Sequence, residues 1–243
     1  MDLLVDIGNT SLKWSPCESG ELGGMRAVRH HGALPIDLHA AWEQLPRPRR
    51  VLVSSVAAPA MTQALRVACR SRWGLETELV AVDPGFGGVA LAYAQPQMLG
   101  VDRWLVLIAA RRTCAGPVLV VDAGTAVTYD LLLASGRHLG GLILPGVEMM
   151  RHSLLGGTAM PRAEPVEAAL PWATDTAGAI GTGPIEALGA LAGRLLGRLE
   201  ETAGEAPDLL LTGGDAERLR PAFPGSVRTD PDLVLQGLAL LLD

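Results

Sequence analysis

Cysteine and histidine are scarce in this chain of 243 residues, and neither occurs in a pattern typical of a metal site. The three cysteines, Cys17, Cys69 and Cys114, are far apart, and the five histidines form no H-x-x-x-H or mixed cysteine and histidine motif. An odd number of scattered cysteines is typical of a reducing compartment and argues against a disulfide framework. A structural or catalytic zinc site is therefore not expected.

Basic residues are also too few to give the chain a positive field. The formal net charge is −6 and the isoelectric point is near 5.4, so we expect no binding to nucleic acid or to an anionic membrane surface. Asp2 stands where a signal peptide would carry a basic residue, and no apolar run approaches the ~20 residues that a membrane span needs. These absences predict a cytoplasmic protein.

Short apolar segments typical of buried strands alternate with longer segments of helical periodicity. The predicted strands cover residues 3–5, 51–53, 79–82, 118–121 and 209–211, and the predicted helices cover 60–73, 101–113, 184–202 and 232–242. This alternation indicates an α/β fold with a largely parallel sheet. The helices around residues 187–199 and at the C-terminus have wide apolar faces, which suit either a domain core or a dimer interface.

The end of the first predicted strand is repeated near the middle of the chain. Val-Asp-Ile-Gly-Asn-Thr at 5–10 and Val-Asp-Ala-Gly-Thr-Ala at 121–126 both place Asp-x-Gly at the entry to a β-hairpin. Chance is one explanation, because Asp-x-Gly after an apolar segment is common. The second copy begins close to half the chain length after the first. This spacing favours a duplicated domain, with halves 1–115 and 116–243 and a common cleft between them.

Both repeated turns carry groups that suit a nucleotide. Glycine lets the backbone approach a phosphate closely, and backbone N–H groups and short polar side chains can donate to phosphate oxygens. Such side chains occur at Asn9, Thr10, Ser11 and Thr125. The carboxylates of Asp6 and Asp122 would repel phosphate and are better suited to hold a cation. For Asp6 we expect Mg²⁺ held through water, since Mg²⁺ prefers such sparse carboxylate sites.

Two further features near these turns have alternative interpretations. Lys13 is the only lysine, against nineteen arginines, and it could reach a phosphate as a point charge or be an ordinary surface lysine. Residues 212–216, Thr-Gly-Gly-Asp-Ala, could seat adenine or ribose against the backbone, or form a glycine-rich turn capped by Asp215. The chain contains no G-x-x-x-x-G-K-[ST] loop and no G-x-G-x-x-G motif.

Five segments occur in the order seen in one family of kinases. They are Asp-Ile-Gly-Asn-Thr at 6–10, Gly-Val-Asp-Arg at 100–103, Asp-Ala-Gly-Thr-Ala at 122–126, Gly-Gly-Leu-Ile-Leu-Pro-Gly at 140–146 and Thr-Gly-Gly-Asp-Ala at 212–216. Together they resemble the type III pantothenate kinases over nearly the whole chain. The resemblance implies two duplicated actin/ribonuclease-H-like α/β domains with the active site in the cleft between them. It also implies that a homodimer uses ATP to phosphorylate pantothenate to 4′-phosphopantothenate, the first step of coenzyme A synthesis.

The resemblance further implies roles for individual residues. Asp122 is expected to bind a monovalent cation, K⁺ or NH₄⁺. Asp102 is the expected catalytic base for the pantothenate hydroxyl, although its place before an apolar helix also fits an N-cap. The expected ATP contacts are Asp6, Gly8, Asn9, Thr10, Ser11, Lys13 and Thr125, and the expected pantothenate contacts are Tyr93, Gly100, Val101, Asp102, Arg103 and Thr176.

Two positions depart from the family pattern. The family more often has Leu-Pro where this chain has Met160 and Pro161, and Asn-Thr where it has Asp175 and Thr176. An additional carboxylate there would disfavour an anionic substrate unless it points away. Arg103 could also be a surface ion pair instead of a substrate contact. Two other functions stay open at this point. They are another small-metabolite kinase of the same superfamily, and a non-catalytic accessory or regulatory protein of the same fold.

Overall fold

The computed structural model describes residues 1–159, 164–167 and 172–242. The strands are β1 (Asp2–Ile7), β2 (Ser11–Glu18), β3 (Glu21–Leu22), β4 (Arg26–Arg29), β5 (Val51–Ser55), β6 (Glu78–Leu79), β7 (Val118–Ala123), β8 (Ala126–Leu132), β9 (His138–Pro145), β10 (Asp208–Thr212) and β11 (Val227–Thr229). The helices are α1 (Ile36–Glu43), α2 (Pro59–Trp73), α3 (Val101–Thr113), α4 (Val147–Gly157), α5 (Thr176–Ala203), α6 (Ala216–Leu219) and α7 (Leu233–Ala239). Within the described ranges, no helix is both long enough and apolar enough to cross a bilayer.

The chain divides into two compact units, each with its own sheet. Unit 1 comprises Met1–Val89, Tyr93–Arg112 and Asp232–Asp243, and unit 2 comprises Ala90–Ala92 and Thr113–Pro231. Unit 1 has the strand order β3-β2-β1-β5-β6, with β4 also paired to β2, and unit 2 has the order β9-β8-β7-β10-β11.

The two sheets share one topology. The central strand β1 pairs antiparallel with β2 and parallel with β5, just as β7 pairs antiparallel with β8 and parallel with β10. Both central strands are largely buried on both faces, which explains their continuous apolar sequences. The predicted duplication of an α/β unit, with Asp-x-Gly at the entry to each hairpin, is therefore confirmed.

Tryptophan side chains dominate the core on one face of the unit 1 sheet. Leu3, Val5 and Ile7 of β1 belong to this core, together with side chains from α1 and α2. The ring centroids of Trp14 and Trp42 are 6.5 Å apart, and those of Trp42 and Trp73 are 5.0 Å apart. Trp73 ends α2, and Gly74 follows it in the left-handed conformation with φ 66°, a common way for a helix to stop.

The two helices with wide apolar faces are both part of domain cores. Helix α7 returns the end of the chain to unit 1 and packs against β1, with six of its seven residues buried. Helix α5 contributes Leu188, Ala192 and Leu199 to the core of unit 2. Of the two interpretations left open for these helices, the structure supports the domain core.

Two predicted elements differ from those observed. The strand predicted at 79–82 is the short edge strand β6, which ends at Leu79. Val80 still donates its N–H to the Val53 carbonyl oxygen, and the chain then turns away from the sheet. The helix predicted from residue 184 begins at Thr176 and contains Pro184 in its interior. Proline removes only one backbone donor, so a long, well-packed helix can continue through it.

The contact between α7 and α3 predicts opposite effects of adding a methyl group at two helical glycines. A Cβ on Gly237 would overlap the Leu105 carbonyl group and lie 2.8 Å from the Leu105 Cβ. We expect Gly237→Ala to lower the free energy of unfolding by about 1–3 kcal/mol through overpacking. In the matched variant Gly197→Ala, at an exposed position of α5 with open space around it, alanine should raise the free energy of unfolding by about 0.5–1 kcal/mol. Urea unfolding measures both changes, and equal effects would contradict the packing described for α7.

Candidate active site

The β1–β2 hairpin contains six of the seven predicted ATP contacts. Asp6 lies near the end of β1, and Lys13 is its register partner on β2. In the connecting turn, the Gly8 N–H donates to the Ser11 carbonyl oxygen at 2.9 Å. Asn9 and Thr10 are exposed at the tip of this turn. The hairpin therefore presents a tight, glycine-bearing turn beside a buried carboxylate, as the sequence predicts.

His30 holds this turn in place through two hydrogen bonds. Its Nε2 donates to the Gly8 carbonyl oxygen at 2.9 Å, and its backbone N–H donates to the Thr10 carbonyl oxygen, also at 2.9 Å. Because a carbonyl oxygen can only accept, Nε2 must carry the proton. Sequence reasoning missed His30, since it lies 22 residues from Gly8 and no local motif links the two positions.

The first residues of α3 lie at the same edge of the unit 1 sheet as the hairpin. Val56, which follows β5, donates its N–H to the Ile7 carbonyl oxygen at 3.0 Å. The Val56 side chain also lies 3.9 Å from the position that a Cβ on Gly100 would take. Asp6 and the segment 100–103 thus lie at the same edge of the sheet, at the carboxyl ends of β1 and β5, where ligands bind in open α/β sheets.

Asp102 is the second residue of α3, and its carboxylate is half-buried. Its Oδ1 accepts the N–H of Arg103 at 2.8 Å. The Trp104 N–H bonds to the Gly100 carbonyl oxygen at 3.0 Å, so Gly100, and not Asp102, occupies the N-cap position. Asp102 nevertheless satisfies one of the N–H groups that the first turn of a helix leaves without a backbone partner.

Arg103 and Tyr93, two predicted substrate contacts, are in direct contact. Arg103 Nη1 donates to the Tyr93 hydroxyl oxygen at 2.9 Å, and the guanidinium carbon lies 5.7 Å from the centre of the Tyr93 ring. Arg103 is only 6% exposed. Arg103 is therefore not a surface side chain.

In unit 2, Asp122 near the end of β7 takes the place that Asp6 has in unit 1. Its register partners are Thr128 on β8 and Thr212 on β10. Gly213 follows Thr212 with φ 96°, and a Cβ there would lie 2.5 Å from Asp122 Oδ1 and would overlap the Ala123 carbonyl group. Only glycine fits this conformation and this close approach.

The segment 212–216 is a glycine-rich turn packed against the end of β7. The Asp215 N–H donates to the Ala123 carbonyl oxygen at 2.9 Å. Asp215 occupies the N-cap position of α6, but its side chain makes no capping hydrogen bond to that helix. The expected side-chain cap is therefore not found, and the backbone of Asp215 anchors the turn instead.

Thr125, the remaining predicted ATP contact, is exposed in the turn between β7 and β8. The Gly146 N–H donates to the Thr125 carbonyl oxygen at 2.9 Å, and a Cβ on Gly146 would lie 2.7 Å from that oxygen. Gly146 ends the segment 140–146. The three motif segments of unit 2 therefore converge at one edge of its sheet.

Thr176 is the first residue of α5 and follows the N-cap residue Asp175. The Asp175 carboxylate accepts the Gly178 N–H at 2.7 Å, so it is directed toward the N–H groups of its own helix. Both residues line a cavity of about 710 Å³, whose described wall also includes Leu154, Ala173, Thr174, Ala179 and Ile180. Because asparagine is an equally good N-cap, aspartate at 175 can perform the local task of the residue that the family more often has.

A buried arginine ties α4 to the first turns of α5. Arg151 is 5% exposed, and it donates to Glu148 Oε1 at 2.8 Å and to the Gly181 carbonyl oxygen. Arg218 also donates to Glu148 Oε1, at 2.9 Å, and this hydrogen bond is the main reason that the pKa of Glu148 lies below its usual value. Sequence reasoning missed this cluster, because Gly181 on α5 and Arg218 on α6 join Glu148 and Arg151 from separate elements.

Residues 2–198 match the family model for type III pantothenate kinase. This chain belongs to the type III pantothenate kinase family. It is 37% identical over 248 residues to the type III pantothenate kinase of Nitrosococcus oceani, covering 98% of this chain and 92% of that protein. It is 38% identical over 242 residues to that of Chromobacterium violaceum, covering 98% of each chain.

A solved structure shares the fold at much lower identity. The activator of 2-hydroxyisocaproyl-CoA dehydratase from Clostridium difficile, solved with bound ADPNP, matches with a TM-score of 0.53 and 12% identity. The match covers 99% of this chain and 93% of that protein. At this identity the likeness concerns the fold alone, and it agrees with the predicted actin-like fold class.

The N-cap role of Asp175 predicts a specific order of stabilities. Asp175→Asn should unfold close to the wild type, because the amide oxygen can still accept the Gly178 N–H. Asp175→Ala should lose about 0.5–2 kcal/mol of stability, as is usual when a cap is removed. Chemical unfolding followed by circular dichroism checks this order. An Asn variant as unstable as the Ala variant would show that the charge of Asp175, and not its cap, stabilises the protein.

Proposed function

We propose that this protein transfers the γ-phosphoryl group of ATP to the primary hydroxyl of pantothenate, giving 4′-phosphopantothenate and ADP in the first step of coenzyme A biosynthesis. The observation that carries the proposal is membership of the type III pantothenate kinase family over residues 2–198. The contact of Tyr93 with Arg103 beside Asp102 supports it, since these residues carry the predicted acceptor contacts.

Asp102 is suited to take the proton of the acceptor hydroxyl. The hydroxyl oxygen forms the new bond to phosphorus, the bond to the ADP oxygen breaks, and the proton passes to the carboxylate. An aspartate is a weak base, with a reference pKa of about 3.9. In a loose transition state the hydroxyl becomes acidic late, so the orientation of the carboxylate matters more than its basicity. The hydrogen bond from the Arg103 N–H to Oδ1 gives Asp102 that orientation.

Arg103 and the start of α3 provide positive charge for the carboxylate of pantothenate. A planar guanidinium can bind a carboxylate through two parallel hydrogen bonds, and the N-terminus of a helix favours an anion by about 0.3–1 kcal/mol. The Tyr93 hydroxyl accepts one N–H of Arg103 and so fixes the orientation of the guanidinium group. In unit 2, Thr176 and the cavity that it lines are the proposed contact with the remainder of the substrate.

For ATP and Mg²⁺, the residues of the β1–β2 hairpin form a suitable set of contacts. The N–H groups and hydroxyls of residues 8–11 are donors for phosphate oxygens, Lys13 adds a positive charge, and Thr125 offers a further exposed hydroxyl. Within the described part of the chain, no three His, Cys, Asp or Glu side chains form a metal-binding cluster. Mg²⁺ keeps water and phosphate ligands and needs few carboxylates, so the single carboxylate of Asp6 is a suitable contact for it. Bound beside Asp6, Mg²⁺ would neutralise charge on the phosphates.

The proposed monovalent cation site lies at Asp122. K⁺ and NH₄⁺ suit a site of oxygen atoms, and the Asp122 carboxylate lies next to Gly213 and the Ala123 carbonyl group. Because residue 213 is glycine, the space beside the Asp122 carboxylate and the Ala123 carbonyl group stays open. Any side chain at 213 would fill that space. The donor set therefore fits a cation held by one carboxylate and backbone carbonyl oxygens.

We also propose that the protein is a homodimer in the cytoplasm. Edge strand β9 exposes Leu142 and Ile143 by 43% and 61%, and Met149 on α4 is 46% exposed. Apolar side chains on a sheet edge favour pairing with another chain, here a second copy. The three cysteines are buried thiols, which fits a reducing compartment. Sedimentation of a single monomeric species at micromolar concentration would argue against the dimer.

The role of Asp102 predicts a large loss of turnover in Asp102→Asn. In a coupled assay of ADP release with pantothenate and MgATP, we expect kcat to fall roughly 10²–10⁴-fold, as is typical when a general base is removed. The amide can still accept the Arg103 N–H, so stability should change little. Asp37→Asn is the matched control, because Asp37 is an exposed aspartate in the first turn of α1. If Asp102→Asn kept wild-type turnover, Asp102 would be a helix-capping residue only, and the base would lie elsewhere.

The proposed cation site predicts turnover that depends on K⁺ or NH₄⁺ and fails in Na⁺. In Asp122→Asn, the concentration of K⁺ that gives half-maximal rate should rise by about tenfold or more, the equivalent of one lost ionic contact of ~1.4 kcal/mol. Asp208→Asn, an exposed position on β10, serves as the control. Equal rates in K⁺ and Na⁺ for the wild type would contradict the cation site while leaving the kinase proposal intact.

A further inference from the structure

Three polar residues form a row across the centre of the unit 1 sheet. Asp6 on β1 is the register partner of Lys13 on β2 and of Ser54 on β5. Residues paired in register on neighbouring strands place their side chains on the same face of the sheet. The residues on either side of the row in β1 and β5, namely Val5, Ile7 and Val53, belong to the apolar core. The three side chains therefore form a polar row in an otherwise apolar part of the sheet. The row lies near the carboxyl ends of β1 and β5, where the proposed nucleotide contacts lie.

The Ser54 hydroxyl makes no hydrogen bond to the described part of the chain in the protein without ligand. Its side chain is completely buried, with 0% exposure, and its Oγ makes no hydrogen bond to any residue that the structure describes. A buried hydroxyl without a partner destabilises a folded protein. Alanine would fill this position without that cost, so the serine indicates a partner that is acquired later.

Unit 2 repeats the arrangement. Asp122 on β7 is in register with Thr212 on β10, the strand that corresponds to β5. Thr212 is 1% exposed. In both units, therefore, the carboxylate of the central strand has a buried hydroxyl residue beside it on the parallel neighbour. This second occurrence, in an independent part of the chain, argues that the hydroxyl belongs with the carboxylate.

We infer that Ser54 is a positioning residue for the nucleotide site, an inference that rests on the proposed function. When MgATP is bound, the Ser54 hydroxyl donates a hydrogen bond to the Asp6 carboxylate and holds it in the orientation that the hydrated metal requires. Neighbouring strands are about 4.8 Å apart, so a change of rotamer at either residue is enough to form this bond. Lys13, on the other side of Asp6, is a charged donor. Ser54 is therefore the neutral donor in the row.

The test compares Ser54→Ala with Ser55→Ala, the adjacent serine, whose side chain is directed to the opposite face. Ser55 Oγ is already bonded to Thr62 Oγ1 at 2.8 Å. We expect Ser54→Ala to unfold at the wild-type temperature or above it without ligand, and to bind MgATP about tenfold more weakly in calorimetry, as for the loss of one hydrogen bond to a charged group. Binding of ATP in excess EDTA should not change. Ser55→Ala should unfold at a lower temperature and bind MgATP as the wild type does.

A double-mutant cycle with Asp6→Asn tests whether Ser54 acts through Asp6. The double variant should bind MgATP no more weakly than Asp6→Asn alone, because the hydroxyl then has no carboxylate to orient. Additive losses would overturn the inference, as would wild-type MgATP affinity in Ser54→Ala. A lowered unfolding temperature of Ser54→Ala with equal loss of ATP binding in EDTA would show a structural role and also overturn it. If the wild type binds no MgATP at all, the proposed function fails, and this inference fails with it.

Discussion

A carboxylate at the end of a central, buried strand is the constraint on which both units depend. All six residues of β1 are buried, and Asp6 is 8% exposed. Removing an ionised carboxylate from water is costly unless it is paired or hydrogen-bonded. An acid in such a strand is therefore limited to a place where it can find a partner. Asp2, 3% exposed at the start of β1, is paired with Arg49 at 2.7 Å, and Asp6 lies near the carboxyl end, at the edge where we propose that the nucleotide binds. In β7 the same limit places Asp122 after four fully buried apolar residues.

The glycines around these carboxylates have different physical reasons for being glycine. Gly213 combines a positive φ with close contact to Asp122, whereas Gly146 has ordinary backbone angles and is limited by the carbonyl oxygens of Gly124 and Thr125. Both leave room for backbone groups, and neither serves flexibility. Segments far apart in the sequence can consequently meet within a few ångströms at one edge of the unit 2 sheet. Substitution by any larger residue would displace backbone, which costs more than displacing a side chain.

Features that depend on neighbouring residues could be predicted from the sequence, and features that depend on distant contacts could not. The hairpin after each Asp-x-Gly was predictable, because the turn and its strands are adjacent in the chain. The bonds of His30 to Gly8 and of Arg151 to Gly181 were not, since these partners lie 22 and 30 residues away and on other parts of the chain. The return of α7 to unit 1 could not be predicted either, because an apolar helix face indicates that the helix is buried but does not indicate which surface it packs against. The start of α5 was misplaced because Pro184 is typical of a first helical turn, while the cap at Asp175 lies further upstream.

The segment 100–103 shows how a short motif can be a single physical device. Asp102 Oδ1 lies 2.5 Å from where a Cβ on Gly100 would be, so the glycine is what allows the carboxylate to fold back over the start of α3. In that position Oδ1 accepts the Arg103 N–H, which restricts the carboxylate to one rotamer. The same turn directs Arg103 to Tyr93. A base that is held before the substrate arrives needs no reorganisation during the reaction, which is where much of the advantage of an enzyme over water originates. The helix-capping bond and the proposed catalytic role of Asp102 are therefore not alternatives, because the first supplies the orientation that the second requires.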